Sequence, residues 1–149
     1  MRKKPQVAMN DFKIILADDE EGVVESLSVV LRHNGYELTG VTDPYEAIEK
    51  VRDGHYDLLI LDYIMDNMQG DRIVDSIREF NSEIYILLLT GHKDLAPPLE
   101  TLRKLDIQAY CEKSEKFDQL LLLIESARKA VLLLNNVKIL KNGLDAALK

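Results

Sequence analysis

Four short apolar runs mark the chain as far as Lys113, and each ends on polar residues. Phe12-Lys13-Ile14-Ile15-Leu16-Ala17 runs into Asp18-Asp19, and Leu58-Leu59-Ile60-Leu61 into Asp62. Ile84-Tyr85-Ile86-Leu87-Leu88-Leu89 runs into Thr90, and Ile107-Gln108-Ala109-Tyr110-Cys111 into Glu112-Lys113. Continuous apolar runs of this length, alternating with helical stretches, predict buried parallel strands. A fifth strand is expected at about 36–41. The first helix is expected from Glu20 to about Asn34, where Asn34-Gly35 supplies a left-handed stop. Asp43-Pro44 starts a second helix, which runs to Gly54, again a glycine stop. A loop from Tyr63 to Gln69 precedes a third helix, from Gly70 to about Phe80. Pro97-Pro98 opens a fourth, which runs to Lys104. The last helix begins near Lys116 or Phe117. Five strand–helix alternations predict a doubly wound α/β fold with a parallel sheet.

The end of the chain departs from this rhythm. Ala130, Leu133, Val137, Leu140, Leu144 and Ala147 recur at alternating spacings of three and four, a coiled-coil seam of a little over two heptads. One long helix packed on the sheet would account for some of these residues. Leu132-Leu133-Leu134 in succession point in too many directions for that alone. Asn142-Gly143 is a stop signal within the segment. Three parts are expected: a flexible terminus over 1–11, a domain over 12–130, and a helical extension over 131–149. The extension would be a dimer stalk or a linker to an output domain outside these residues.

Bulk composition narrows the function. The 149 residues, 46% hydrophobic and 30% charged, suit one ordinary globular domain. A net charge of −7 argues against a nucleic-acid surface in this segment. The single cysteine, Cys111, excludes an internal disulfide and fits a small buried side chain in the last strand. No stretch has the ~20 apolar residues of a membrane span, and Met1-Arg2-Lys3-Lys4-Pro5 lacks the apolar run of a secretory signal. The expectation is a cytoplasmic protein with no membrane contact.

In an open parallel sheet, ligands bind beyond the carboxyl ends of the strands. Asp18, Asp19, Asp62, Thr90 and Lys113 would meet there. An aspartate can attack a phosphoryl group and form an acyl phosphate. Phosphoryl transfer needs positioning and charge neutralisation above all, and magnesium accepts one or two carboxylates plus phosphate oxygens. Lys113 would add a point charge and Thr90 a hydroxyl. Each residue has a plainer use when taken singly. Asp18 or Asp19 would cap a helix, Asp62 or Thr90 would serve a turn, and Lys113 would sit in water. It is their convergence that favours the site.

The order and spacing of four segments carry a resemblance. They are Leu16-Ala17-Asp18-Asp19-Glu20, Leu59-Ile60-Leu61-Asp62 with its continuation to Gly70, Leu88-Leu89-Thr90-Gly91, and Tyr110-Cys111-Glu112-Lys113. Over about residues 12–130 the chain resembles the receiver domains of two-component response regulators, of the chemotaxis-regulator type. The resemblance implies a flavodoxin-like sheet in the order 2-1-3-4-5, and a phosphoryl group received from a histidine kinase or phosphotransfer protein. It implies Asp62 as acceptor, and Thr90 and Lys113 as contacts to the phosphoryl group. Magnesium, with manganese as an alternative, would be held by Asp18, Asp19, Asp62 and the backbone carbonyl of Ile64, with Asp19 a direct ligand. Tyr110 stands at the position of the switch aromatic, whose ring moves inward as Thr90 shifts toward the phosphate. Its plainer use is a half-buried strand aromatic that stays put.

Two positions depart from the family pattern, with Asp66 and Ser114 where proline is usual, and the further acid at Asp66 would tune the site by slowing phosphorylation or altering metal binding. Ile64 and His92 occupy the positions two past Asp62 and Thr90, which tune phosphate loss. Ile64 cannot orient an attacking water, so slow loss is expected unless His92 does so. The chain is read as a phospho-acceptor that assists its own phosphorylation and dephosphorylation, not as an enzyme. The alternative is a receiver-like dimeric interaction module that works without phosphorylation. A flavin carrier or enzyme on a similar sheet would need a phosphate-cradling loop after the first strand, and Asp18-Asp19-Glu20-Glu21 there repels phosphate.

Overall fold

The computed structural model describes residues 12–65, 68–91, 99–113 and 116–148. In chain order the elements are β1 (Lys13–Ala17), α1 (Glu21–His33), β2 (Glu37–Val41), α2 (Pro44–Asp53), β3 (Leu58–Asp62), β4 (Ile64–Met65), β5 (Met68–Gln69), α3 (Gly70–Arg78), β6 (Tyr85–Thr90), α4 (Leu99–Lys104), β7 (Ala109–Glu112) and α5 (Asp118–Ala147). Five strands form one sheet in the order β2-β1-β3-β6-β7, all paired in parallel. Without the small β4–β5 hairpin this is the predicted order 2-1-3-4-5. The chain turns from one side of β1 to the other between β2 and β3, so the switch point lies between β1 and β3. Ala17 there pairs with Leu61, which makes Asp18 and Asp62 neighbours.

The strands are apolar on both sides because both faces are covered. Ile15, Leu59, Leu61, Ile86 and Leu88 pack with Ala47 and Val51 of α2 and Ile73 and Ile77 of α3. Ile14, Leu16, Leu58, Ile60 and Leu87 pack with Leu27 and Leu31 of α1 and Leu120 and Ile124 of α5. Every residue of β3 is buried, so its run shows no polar alternation.

Helix ends follow the local chemistry. Asp43 Oδ1 accepts a 2.9 Å hydrogen bond from the Tyr45 amide, with Pro44 opening α2. Gly35 has φ 88°, the left-handed stop expected after α1. Gly54 ends α2 differently, because its backbone is extended, with φ −106°. Its side is closed by the Tyr56 ring and the Lys50 carbonyl, each under 3.0 Å from where a Cβ would stand. Close approach, and not a left-handed turn, explains that glycine.

Two further expectations change. The loop expected from Tyr63 to Gln69 contains the β4–β5 hairpin, in which Ile64 pairs with Gln69 and Met65 with Met68. Strands of two residues are too short to leave a periodic signal. Asn142-Gly143 does not stop α5, which continues to Ala147. A helical glycine costs only about 1 kcal/mol, and helix continues on both sides of this one. The terminus 1–11, Asp66, His92, the Pro97-Pro98 helix start and Ser114 lie outside the described residues.

The first half of α5 buries Leu120, Ile124 and Ala127. Glu125 fastens it, accepting a 2.5 Å hydrogen bond from the Tyr36 hydroxyl and pairing with Arg128. From Leu133 onward the described residues of the helix are exposed.

Candidate functional site

Each polar residue that ends an apolar run stands at the carboxyl edge of the sheet. Asp18 is completely buried, Thr90 is 2% exposed and Asp62 is 6% exposed, whereas Asp19 faces solvent. The Asp18 amide donates to the Val41 carbonyl at 3.1 Å, which holds the end of β1 to β2. Asp18 Oδ1 accepts from the Glu20 amide at 2.9 Å as α1 begins. That bond closes a turn ahead of α1 and does not cap it, since the N-cap is Glu20 and makes no side-chain cap bond; the other oxygen of Asp18 remains for the site. The Lys113 amide donates to the Thr90 carbonyl at 2.7 Å, tying the end of β7 to β6.

The Lys113 ammonium reaches Asp18 Oδ2 at 2.6 Å and Asp62 Oδ1 at 3.3 Å. It bridges the two buried carboxylates, so it is not a solvated surface charge. Apart from this ion pair, Asp18 Oδ2 has no hydrogen-bond partner among the described residues. A cleft of about 340 Å³ opens here, lined by Asp19, Asp62, Ile64, Thr90 and Lys113 among others. A larger and mainly apolar groove between α1 and the start of α5 touches Lys113 but none of the three aspartates.

Three acids and one base leave excess negative charge in a place with little water. Burial, then the Asp18 charge, raises the Asp62 carboxyl to about 6; Lys113 opposes this and Asp19 adds to it. Burial alone would lower the Lys113 ammonium, but contact with Asp18 and Asp62 outweighs it and holds the group above its ordinary value. Oxygens of Asp18, Asp19 and Asp62 lie within 4.8 Å of one another. An all-oxygen set with surplus negative charge fits a hard divalent cation.

The Thr90 hydroxyl donates to the Tyr110 hydroxyl at 3.2 Å. Tyr110 is half-buried, with its hydroxyl already at the residue it was expected to follow. Asp18, Asp19, Asp62, Ile64, Thr90, Lys113 and Tyr110 are thus together. The two predicted tuning residues, Asp66 and His92, are not among the described residues. Sequence reasoning passed over Glu20, which also lines the cleft; its signal was its place directly after the acidic pair.

A family model described as the response regulator receiver domain matches residues 14–125. The chain belongs to the response regulator receiver family. Proteins similar to it include the transcriptional regulatory protein ZraR of Klebsiella oxytoca, 30% identical over 114 residues, which are 76% of this chain and 26% of that protein. The phosphoglycerate transport system regulator PgtA of Salmonella typhimurium is 28% identical over 118 residues, 79% of this chain and 28% of that protein. The chain thus spans about a quarter of the length of these two curated relatives. Among solved receiver structures, Thermotoga maritima TrrA in complex with Mg(2+)-BeF is 30% identical, with a TM-score of 0.70 over 78% of this chain and 98% of that one. TrrA in complex with the histidine kinase ThkA is 29% identical, with a TM-score of 0.69 over 78% of this chain and 97% of that one. Among the described residues of this receiver, no helix is long and apolar enough to cross a membrane.

Proposed function

We propose that this receiver is a phosphorylation-controlled switch in which Asp62 accepts a phosphoryl group from a histidine kinase or phosphotransfer protein in the cytoplasm. The main support is the setting of one carboxylate. Asp62 ends β3 within 4.8 Å of oxygens from two other aspartates and 3.3 Å from a lysine ammonium. Its oxygen attacks phosphorus, the bond from phosphorus to the donor imidazole breaks with its electron pair passing to nitrogen, and an acyl phosphate forms. Magnesium or manganese, held by Asp18, Asp19, Asp62 and the Ile64 carbonyl, would neutralise the charge that builds up during transfer. Lys113 gives its charge to one phosphoryl oxygen and Thr90 its hydroxyl to another.

Thr90 has a single hydroxyl proton, which it now gives to Tyr110. Turning that proton to a phosphoryl oxygen changes what Tyr110 meets, and the ring settles inward. The face built by α4, β7 and α5 then changes shape, as a population shift between two states. The exposed half of α5 carries the change outward, as a dimer stalk or as a linker.

The test is labelling by acetyl phosphate, or beryllofluoride binding, with and without magnesium, wild type beside Asp62→Asn. Modification that needs both magnesium and Asp62 is expected. No modification under any condition would sink this reading in favour of an interaction module that works without phosphorylation.

A further inference from the structure

We propose that residues 130–147 of α5 pair with the same segment of a second copy of this chain, parallel and in register. The contacts are Ala130, Leu133, Val137, Leu140, Leu144 and Ala147. This pairing rests on the stalk alternative above, to which it gives a partner, an orientation and a contact set. It does not depend on Asp62 accepting a phosphoryl group.

The distal half of α5 carries two separate stripes. Val131, Leu134, Asn135 and Lys138 share one side and line a cleft against Tyr56, Ile84 and Gln108 of the same domain. Lys138 is ion-paired with Glu83 there. The helix's own domain therefore uses that side. Leu133, Val137, Leu140 and Leu144 share another side, roughly 140° around a helix of 3.6 residues per turn. These four side chains are between 60 and 73% exposed. Both stripes have helical spacing, and only one faces the domain.

The spacing names the occupant. Alternating steps of three and four form a heptad seam, whose partner is a helix of the same period. The phase does not begin at the free half. Leu123 and Ala130 precede Val137 and Leu144 by successive steps of seven, and Ser126 precedes Leu133 by seven. Leu123 and Ala130 are half-buried on the packed half of α5. Two stalks that pair along the seam therefore bring the same outer strip of both domains together. The continuation of the helix through Asn142 and Gly143 fits as well, because both residues fall outside the seam.

A parallel pair is the arrangement that brings the like strips at Leu123 and Ala130 of both domains together, and β-branched Val137 with leucines at 133 and 140 suits two strands in such a pair. In that register Asn136 of one copy lies opposite Lys141 of the other, and Gly143 opposite Leu148, so no like charges meet. The four large seam side chains of each copy hide about 100 Å² apiece, hence about 800 Å² for the pair, the low end for a specific interface. The association is therefore reversible at working concentrations.

The test uses the whole chain without divalent ions, by analytical ultracentrifugation from low micromolar to near-millimolar concentration. A monomer–dimer equilibrium is expected, weakened at least tenfold in the Leu133→Asp/Leu140→Asp double variant with helix content in circular dichroism retained. Orientation is read from three single substitutions, Leu133→Cys, Leu140→Cys and Ile139→Cys, with wild type as the control for buried Cys111. Mild oxidation should join the first two to their own counterparts and leave Ile139→Cys single. A monomer at every concentration, or a dimer unmoved by the double variant, overturns the pairing. Crosslinking at only one seam position, or as readily at Ile139→Cys, overturns the parallel register. Labelling of Asp62 is measured separately, and its failure would leave each of these outcomes unchanged.

Discussion

The acidic corner of the sheet and the distal half of α5 break the rule of apolar inside and polar outside in opposite directions. At the corner Asp18, Asp62 and Thr90 are buried. On the helix a row of leucines stands in water. Neither arrangement is what folding alone would select, because a buried carboxylate costs stability and an exposed leucine contributes little. The corner lacks only charge compensation, which a small cation supplies. The helix lacks a surface, which the second copy proposed above would supply. The two departures therefore announce different kinds of partner.

The widest way to separate the regions is to remove their chemistry. Asp62→Asn is expected to abolish labelling by acetyl phosphate, while Leu140→Asp leaves it intact. Phosphate release assays on both variants check this.

Packing gives the next effect. Ile124, fully buried on the first half of α5, should cost about 2–5 kcal/mol of unfolding free energy when changed to Ala. Leu140→Ala on the second half should stay within about 0.5 kcal/mol in dilute solution, where no partner is present. Urea titration of both variants measures the contrast, and equal losses would mean the distal half packs on its own domain.

The corner should show the reverse sign. Its Asp62 carboxyl is raised from 3.8 to about 6, so this group's contribution is fully present below pH 3.8, falls as pH rises through about 6, and is unfavourable at neutral pH. Without divalent ions, Asp62→Asn should therefore stabilise the protein at pH 7.5, by up to about 3 kcal/mol at 1.36 kcal/mol per unit. Magnesium should raise the melting temperature of wild type more than that of Asp62→Asn. Urea midpoints at pH 5 and 7.5, and melting curves with and without the ion, check both.

The smallest effect concerns the join between the regions. Glu125, held to about 2 chiefly by hydrogen bonds from Arg128 and Tyr36, should contribute stability above pH 4.5 that fades as pH falls toward 2. Glu125→Gln should cost about 1 kcal/mol at neutral pH, and should flatten the acid limb of the denaturation profile.

Much of the molecule was legible in the pattern of residues. The buried runs gave the strands to within one or two residues, because a strand covered on both faces leaves an unbroken apolar signature. The corner was legible because chain order and parallel pairing bring the ends of those runs together without any side-chain detail. The ion bridge from Lys113 to two buried aspartates was not, since it depends on how a long flexible side chain settles. The Thr90–Tyr110 hydrogen bond was equally hidden. The β4–β5 hairpin escaped because two-residue strands have no period, and α5 continues through the Asn142-Gly143 stop signal to Ala147 because helix on both sides outweighs one glycine.

One consequence of the length of α5 is mechanical. From Ala127, the last fully buried residue, to Ala147 the helix extends about 30 Å at 1.5 Å per residue. The Tyr36–Glu125–Arg128 clamp and the Glu83–Lys138 pair hold its near part like a bearing. A tilt of about 10° at that bearing would carry the far end, about 14 Å beyond Lys138, through about 2 Å. Rearrangements at the domain too small to be read directly would thus be magnified at the tip, with the rigidity of the rod, and not any change within it, setting the gain.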